Sequence, residues 1–335
     1  MVANGSAADV WSDFMDQMDK LFYITKKASD YTIARYLDKA APDLRDRVVP
    51  VSYEQLLSHD KVPVGNYLFT DIDRASRAEI ERAVRIAHVV TGAGRGCRVI
   101  NWPNRGCMRY ELLRQLHEQG INPFNVYRLT EARKPARFPV FVRRLSEHNG
   151  SGTKLIQSPD QLERAVDFLL KLGCDRDDLL IVEFVEARSP DGIYRKMGSC
   201  LVDGEVFANH LIASDSWNVK QAEIVNDALI DEEIDFLRKN PFADDVKAAF
   251  ALARIDFGRL DFSLVGGRMI VWEINTNPNL YGTSFDRYPE RLQRALIPYY
   301  LPKVREGFLR LLRPQATENA GEASADPTPS PAAND

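Results

Sequence analysis

The chain has 335 residues, 44% of them apolar and 27% charged, an ordinary composition for a folded globular protein with room for two or three packed units. A formal net charge of -4 gives no electrostatic case for nucleic acid, and no apolar run of about 18 residues offers a membrane span. The acidic start MVANGSAADVWSDFMDQMDK lacks a basic-then-apolar signal pattern. Four cysteines (Cys97, Cys107, Cys174, Cys200) without metal-like spacing fit reduced thiols in the cytoplasm. Five scattered histidines without HExxH give a zinc hydrolase no support.

In chain order, residues 1–47 read as a helical, polar segment. Trp11, Phe14, Met15, Met18, Leu21 and Phe22 recur at three-to-four spacing as one apolar face. Residues 48–135 alternate strand and helix. A strand at 66–71 ends in an acidic loop, and the capping box Ser76-Arg77-Ala78-Glu79 opens a helix. A short strand at 97–101 leads to a helix at 108–119 that stops at Gly120. Such alternation predicts a parallel sheet. The glycine-rich run at 91–96 follows a helix and precedes a strand, the wrong order for a dinucleotide turn, and reads as a loop.

Residues 136–188 form a second unit. It has a strand at 138–143, a loop LSEHNGSGT, a returning strand at 154–156, a helix capped by Ser158 with Pro159 and Gln161, and the β-forming run LLIVEFV at 179–185. Residues 189–313 hold further strands at 194–201 and 205–212, helical stretches, and a C-terminal helix from 289 to 312. The tail 314–335 has no large apolar residue and is expected to be disordered.

One stretch of the last unit carries the chemistry: IDFGRLDFSLVGGRMIVWEINTNPN, residues 255–279. Two alternating runs flank Gly266-Gly267, which predicts a β-hairpin with one buried face. A two-residue turn would separate Asp261 from Glu273. A three-residue loop, Gly266-Gly267-Arg268, or an equivalent bulge sets them opposite each other. Asn275 then follows on the same face, beside Arg259. Two carboxylates and an amide oxygen are hard donors that suit Mg2+, while a plain solvated face remains the alternative.

Three stretches recur in one order: Arg143 feeding Asn149-Gly150-Ser151-Gly152, the acid-ended strand Glu183-Phe184-Val185-Glu186, and the hairpin with Arg259-Leu260-Asp261 and Glu273-Ile274-Asn275-Thr276-Asn277-Pro278. This set resembles the ATP-grasp superfamily over about residues 48–313, and looks most like its carboxylate–amine ligases, such as D-alanine–D-alanine ligase. The resemblance implies an α/β fold with α+β lobes: an N-terminal parallel pre-ATP-grasp domain (48–135) behind the helical segment 1–47, a small lobe (136–188), and a large lobe (189–313). The two lobes would clasp the nucleotide.

What the resemblance implies for the site can be given residue by residue. Glu273 would bridge two Mg2+ ions, with Mn2+ as an alternative ion, Asp261 on one and Asn275 on the other. The loop containing Asn149, Gly150, Ser151 and Gly152 would close over the phosphates of ATP with backbone N–H groups. Arg143 stands where the family has lysine and presents a fork instead of a point charge. The Glu183 carbonyl and Val185 N–H, flanking Phe184, would read adenine, and Glu186 or Asp191 would hold the ribose. Arg195 and Lys196 are candidates for phosphate contacts. Lys220 would approach the γ-phosphate, and Arg259 would act as an oxyanion stabiliser.

The implied reaction joins a small-molecule carboxylate to an amine through an acyl phosphate, with no nucleic-acid or membrane partner; a homodimer is compatible with it. An ATP-grasp kinase or phosphotransferase and a non-catalytic nucleotide-binding protein stay open as alternatives. Substrates would enter between the N-terminal unit and the hairpin lobe, past the loops at Asp71-Ile72-Asp73 and Asn101-Trp102-Pro103.

Overall fold

Five consecutive buried residues, LFYIT, make the first strand, β1 (Leu21–Thr25). The computed structural model describes residues 19–93, 96–131, 134–145, 151–281 and 289–313, without the side chains of 295–297. The apolar spacing read as a helix thus gives way, at Leu21 and Phe22, to a strand; Trp11, Phe14, Met15 and Met18 lie outside the described residues. The reason is burial on both faces. Leu21 and Tyr23 join one hydrophobic cluster while Phe22 and Ile24 join another. A strand covered on both sides reads as a continuous apolar run, which spacing alone cannot tell from a helix.

β1 is central in a four-stranded, fully parallel sheet with β2 (Val48–Ser52), β3 (Asn66–Phe69) and β4 (Val99–Ile100), in the order β2-β1-β3-β4. Helix α1 (Tyr31–Lys39) follows β1. Two further helices, α2 (Tyr53–Ser58) and α3 (Arg77–Gly92), open on complete capping boxes, Ser52 with Gln55 and Ser76 with Glu79. The strand–helix alternation read from the sequence is therefore present, with its central strand supplied by the segment before residue 47.

Helix α4 (Arg109–Glu118) leads into a three-stranded antiparallel sheet of β5 (Val126–Arg128), β6 (Val140–Arg144) and β7 (Leu179–Glu183), in the order β5-β7-β6. The strand expected at 154–156 is reduced to a bridge between Ile156 and Val140. Helix α5 (Pro159–Lys171) starts as read, with the Ser158 side chain accepting from the Gln161 N–H.

A second antiparallel sheet has the order β11-β10-β8-β9, from β8 (Tyr194–Val202), β9 (Glu205–Ser214), β10 (Phe257–Val265) and β11 (Arg268–Asn275). Helices α6 (Asp227–Lys239) and α7 (Ala243–Ala253) lie between β9 and β10. The single C-terminal helix expected at 289–312 is two, α8 (Glu290–Tyr299) and α9 (Leu301–Leu311), which divide between Pro298 and a proline in the first turn of α9. Among the described residues no helix is long and apolar enough to cross a membrane.

Buried amides tie the parallel sheet to the large antiparallel one and to the C-terminal helix α9. The Asn101 side chain accepts from the Asp256 and Phe257 N–H groups at 2.8 and 3.0 Å and donates to the Phe257 carbonyl at 2.8 Å. Asn66 donates to the Leu311 carbonyl at 3.1 Å.

One buried acid is poorly matched to its surroundings. Glu233 of α6 covers the edge strand β9, accepting from the Leu211 N–H at 3.1 Å among apolar neighbours such as Ile224 and Leu292. Burial pushes its carboxyl up to about 7. A raised carboxyl binds its proton more tightly folded than unfolded. Its contribution is therefore full below the ordinary range near 4.5 and is lost as pH rises through 7. Glu233→Gln is expected to match the wild type in urea unfolding at pH 4. At pH 8 it should exceed the wild type, by up to about 3 kcal/mol; equal stability of the two proteins at pH 8 contradicts the assignment.

Candidate functional site

The site grows from the β10–β11 hairpin. Gly266 and Gly267, at φ +56° and +78°, form a two-residue turn, because Val265 pairs with Arg268. That turn alone would set Asp261 and Glu273 on opposite faces. A bulge corrects the register: Phe262 pairs with Val271, but Asp261 pairs with Glu273, leaving Trp272 as the extra residue. The three-residue loop is thus not what forms; the bulge achieves its effect. Arg259 comes to stand opposite Asn275.

The row extends across the sheet. Gly198 of β8 faces Asp261, and His210 of β9 faces Gly198. A Cβ at Gly198 would collide with the His210 ring, so the glycine makes room for the imidazole. Burial and the Arg259 charge push that imidazole down to about 3, leaving it neutral near pH 7.

A cavity of about 430 Å³ opens in front of the row. Asp261, Glu273, Lys196 and Lys220 line it, with Arg143 of β6 and Ser151 from the small sheet's side. Aromatic rings line it as well. Phe141 and Phe184 approach Trp217 with ring centroids at 5.1 and 5.7 Å, and Val185, Tyr194 and Trp272 complete the wall. The lining offers apolar surface to a flat group and positive charge to an anion. A contact from Ser151 N to Asn218 Oδ1 at 3.4 Å joins the loops that meet over the cavity. Gly152 is needed behind them: its N–H bonds the Val142 carbonyl at 2.8 Å, and a Cβ would press on that oxygen at 3.2 Å.

Cations surround the two carboxylates. Arg259 Nε holds Asp261 at 2.7 Å and Lys196 stands 3.5 Å from it. Glu273 is held by Arg143 at 2.9 Å and by Arg109, at the start of α4. Burial opposes the charge on Asp261, yet Arg259 and Lys196 outweigh it and keep its carboxyl below the ordinary range. Burial, with the neighbouring Arg109 charge, pushes Arg143 down to about 10. Burial also opposes the Arg259 charge, and Asp261 overcomes it, raising that guanidinium above its usual value.

Among the described residues no three His, Cys, Asp or Glu side chains form a metal cluster. The donor set is instead two carboxylates and the Asn275 amide. Both carboxylates face the cavity and both are already met by cations. That fits an ion arriving with a polyanion that draws those cations off, and fits a resident structural ion poorly.

The remaining expected residues fall in three groups. Asn149 and Gly150 lie outside the described residues. Glu186, Asp191, Arg195, Arg259 and Asn275 do not line the cavity. Arg195 is bound to Asp191 at 2.7 Å and to Glu232 at 2.8 Å, and Glu186 accepts from the Arg188 N–H at 3.0 Å. The Glu183 side chain is buried in a scaffold network with the Tyr127 hydroxyl at 2.9 Å and the Asn125 N–H at 3.1 Å. Two residues offered as cleft lining serve other ends, since Asp71 and Asn101 are both buried and fully bonded between units.

Arg109 was missed by sequence reading. Its one signal is an arginine at the first position of a helix, where the helix dipole favours an acid. Besides Glu273 it bonds the Arg144 carbonyl at 3.0 Å and the Leu145 carbonyl, so one guanidinium joins α4, the end of β6 and the hairpin.

No family model matches the sequence, and no curated protein is similar to it at a significant level. Among solved structures the chain is similar to D-alanine–D-alanine ligase from Bacillus anthracis complexed with ATP, at 13% identity and a TM-score of 0.48, over 86% of this chain and 98% of that one. It is similar to the D-alanine–D-alanine ligase from Helicobacter pylori at 12% identity and 0.45, over 88% and 99%. It is also similar to the ATP-grasp ligase PsnB complexed with minimal precursor, at 11% identity and 0.45, over 82% and 97%. TM-scores below 0.5 leave the functional reading to the site's own residues.

Removing Arg109 leaves a buried carboxylate half-compensated. Arg109→Ala is expected to lower the unfolding free energy by about 3–5 kcal/mol in a urea titration, with Arg109→Lys intermediate. A loss below about 1 kcal/mol means that Arg143 alone suffices for Glu273.

Proposed function

We propose that the chain is an ATP- and Mg2+-dependent ligase of the ATP-grasp kind, joining a small-molecule carboxylate to an amine. The observation that carries this reading is the pairing of Asp261 with Glu273 across the bulge, among cationic side chains in a cavity that aromatic rings also line. ATP likewise combines a flat base with clustered charge.

In this reading the base enters between Phe184, Val185 and Trp217. The phosphates meet Arg143, Lys196, Lys220 and the backbone near Ser151. Arg109 stands behind Glu273 and holds it in place as Arg143 turns to the phosphates. Asp261, Glu273 and Asn275 would hold Mg2+, which supplies neutralisation of phosphate charge. A substrate carboxylate oxygen attacks the γ-phosphorus, and the bond to ADP breaks. The amine nitrogen then attacks the acyl carbon, and inorganic phosphate leaves with the bonding pair. Arg259 lies beside Asp261 to steady negative charge on the acyl oxygen. Positioning and charge stabilisation do this work, so a protein nucleophile is not required.

The test is ADP and phosphate release against panels of carboxylates and amines. Activity is expected with one pair, falling by at least about 100-fold in Asp261→Ala and Glu273→Ala. Turnover unchanged in both variants overturns the reading, and a stable phosphate ester as product turns it into a kinase. Nucleotide should also alter tryptophan emission through Trp217 and Trp272, and Trp217→Phe should remove most of that change. A nucleotide response that persists unaltered in Trp217→Phe places the base elsewhere.

A further inference from the structure

We propose that Asn277 is the positioning residue for Asn275, locking the amide oxygen of that metal ligand from the parallel-strand unit; the proposal rests on the metal role given to Asn275 above. β11 ends at Asn275, and Asn277 is buried against the C-terminal ends of β1 and β3.

Its carboxamide is saturated. Oδ1 accepts from the Tyr23 hydroxyl at 2.8 Å and the Thr32 hydroxyl at 2.7 Å. Nδ2 donates to Asp71 Oδ2 at 2.8 Å and Thr25 Oγ1 at 2.9 Å, with the Ser29 carbonyl at 3.3 Å. The orientation suits its partners, because the Asp71 oxygen that accepts from the Lys26 N–H takes the nitrogen of Asn277 on its side, and the two hydroxyls donate to Oδ1. Asp71 is itself held, by the Thr25 hydroxyl at 2.7 Å and the Lys26 N–H at 3.1 Å, in a left-handed backbone conformation at φ 48°.

This lock fixes more than a loop. The Asn277 backbone N–H donates to Asn275 Oδ1 at 2.9 Å. An N–H accepts nothing, so it selects the oxygen of Asn275 and turns the amide nitrogen away. One lone pair of that oxygen is taken, and the second stays for a cation. Were Asn277 free to turn, the Asn275 amide could rotate and offer its NH2 to a metal, which repels it. Outer contacts of this kind orient metal ligands and are worth about 10–100-fold in affinity. The relay also joins two units, since Tyr23, Thr25, Thr32 and Asp71 belong to the parallel-strand unit and Asn275 to the hairpin.

The test uses the full-length chain with a non-hydrolysable ATP analogue and Mn2+, free Mn2+ being read by electron paramagnetic resonance and folding by thermal melts. Asn275→Ala and Asn277→Ser are each expected to weaken Mn2+ by about tenfold. Thr32→Val, which removes one bond from the far side of the relay, should weaken it by a few-fold. Asn66→Ser, a buried amide at the opposite end of the same sheet, should lower the melting temperature with Mn2+ affinity unchanged. Wild-type Mn2+ affinity in Asn277→Ser beside a loss in Asn275→Ala overturns the relay alone. So does a loss in Asn66→Ser as large as that in Asn277→Ser, since the effect would then be one of general stability. If Asn275→Ala binds Mn2+ as the wild type does, the metal reading of the hairpin falls and the relay falls with it.

Discussion

Two carboxylates facing each other across a β-bulge, met by four cationic side chains, set the terms for everything around them. Asp261 and Glu273 cannot sit side by side away from water without compensation. Arg259 and Lys196 serve the first, and Arg109 and Arg143 the second. These cations come from β8, β10, α4 and β6, so the small and large antiparallel sheets are held in one arrangement by the charge they enclose. Four positive charges against two negative ones also leave an excess that a phosphate chain can satisfy.

The arrangement has a cost that suggests how it works. Burial and the proximity of Arg109 weaken the hold of Arg143 on its proton, and a second guanidinium is confined beside it. Such crowding is relieved by an arriving anion, and each guanidinium drawn toward phosphate frees a carboxylate oxygen. The neutral His210 over Gly198 adds no further charge to the row. Anion and cation would then bind together more readily than either alone, the coupling expected of a nucleotide–metal site.

Much of this was legible in the residues. The capping box at Ser76, the Pro159 helix start and the parallel alternation follow from local chemistry that acts within a few residues. The hairpin was legible too, including the requirement that something restore the register between Asp261 and Glu273. Other features were not legible, for specific reasons. β1 looked helical because a strand buried on both faces has no alternation to display. The Asp71 and Asn101 loops looked like cleft lining because polar loop residues give no sign of being spent on a distant unit. Asp191 and Arg195 looked available for nucleotide, four residues apart, and are paired to each other.

By itself, then, the sequence determined the hairpin, the placing of Asp261, Glu273 and Asn275 along it, and the demand for a bulge or a longer turn, since these depend on side-chain alternation along one hairpin. Only the tertiary structure decided which device met that demand, the extra residue Trp272. Only it brought Arg109 to Glu273, 164 positions away, and closed Asn277 around Asp71 and Thr25. Pairings at such separations depend on how whole sheets dock, and docking is set by the summed fit of their buried faces, which no local stretch encodes.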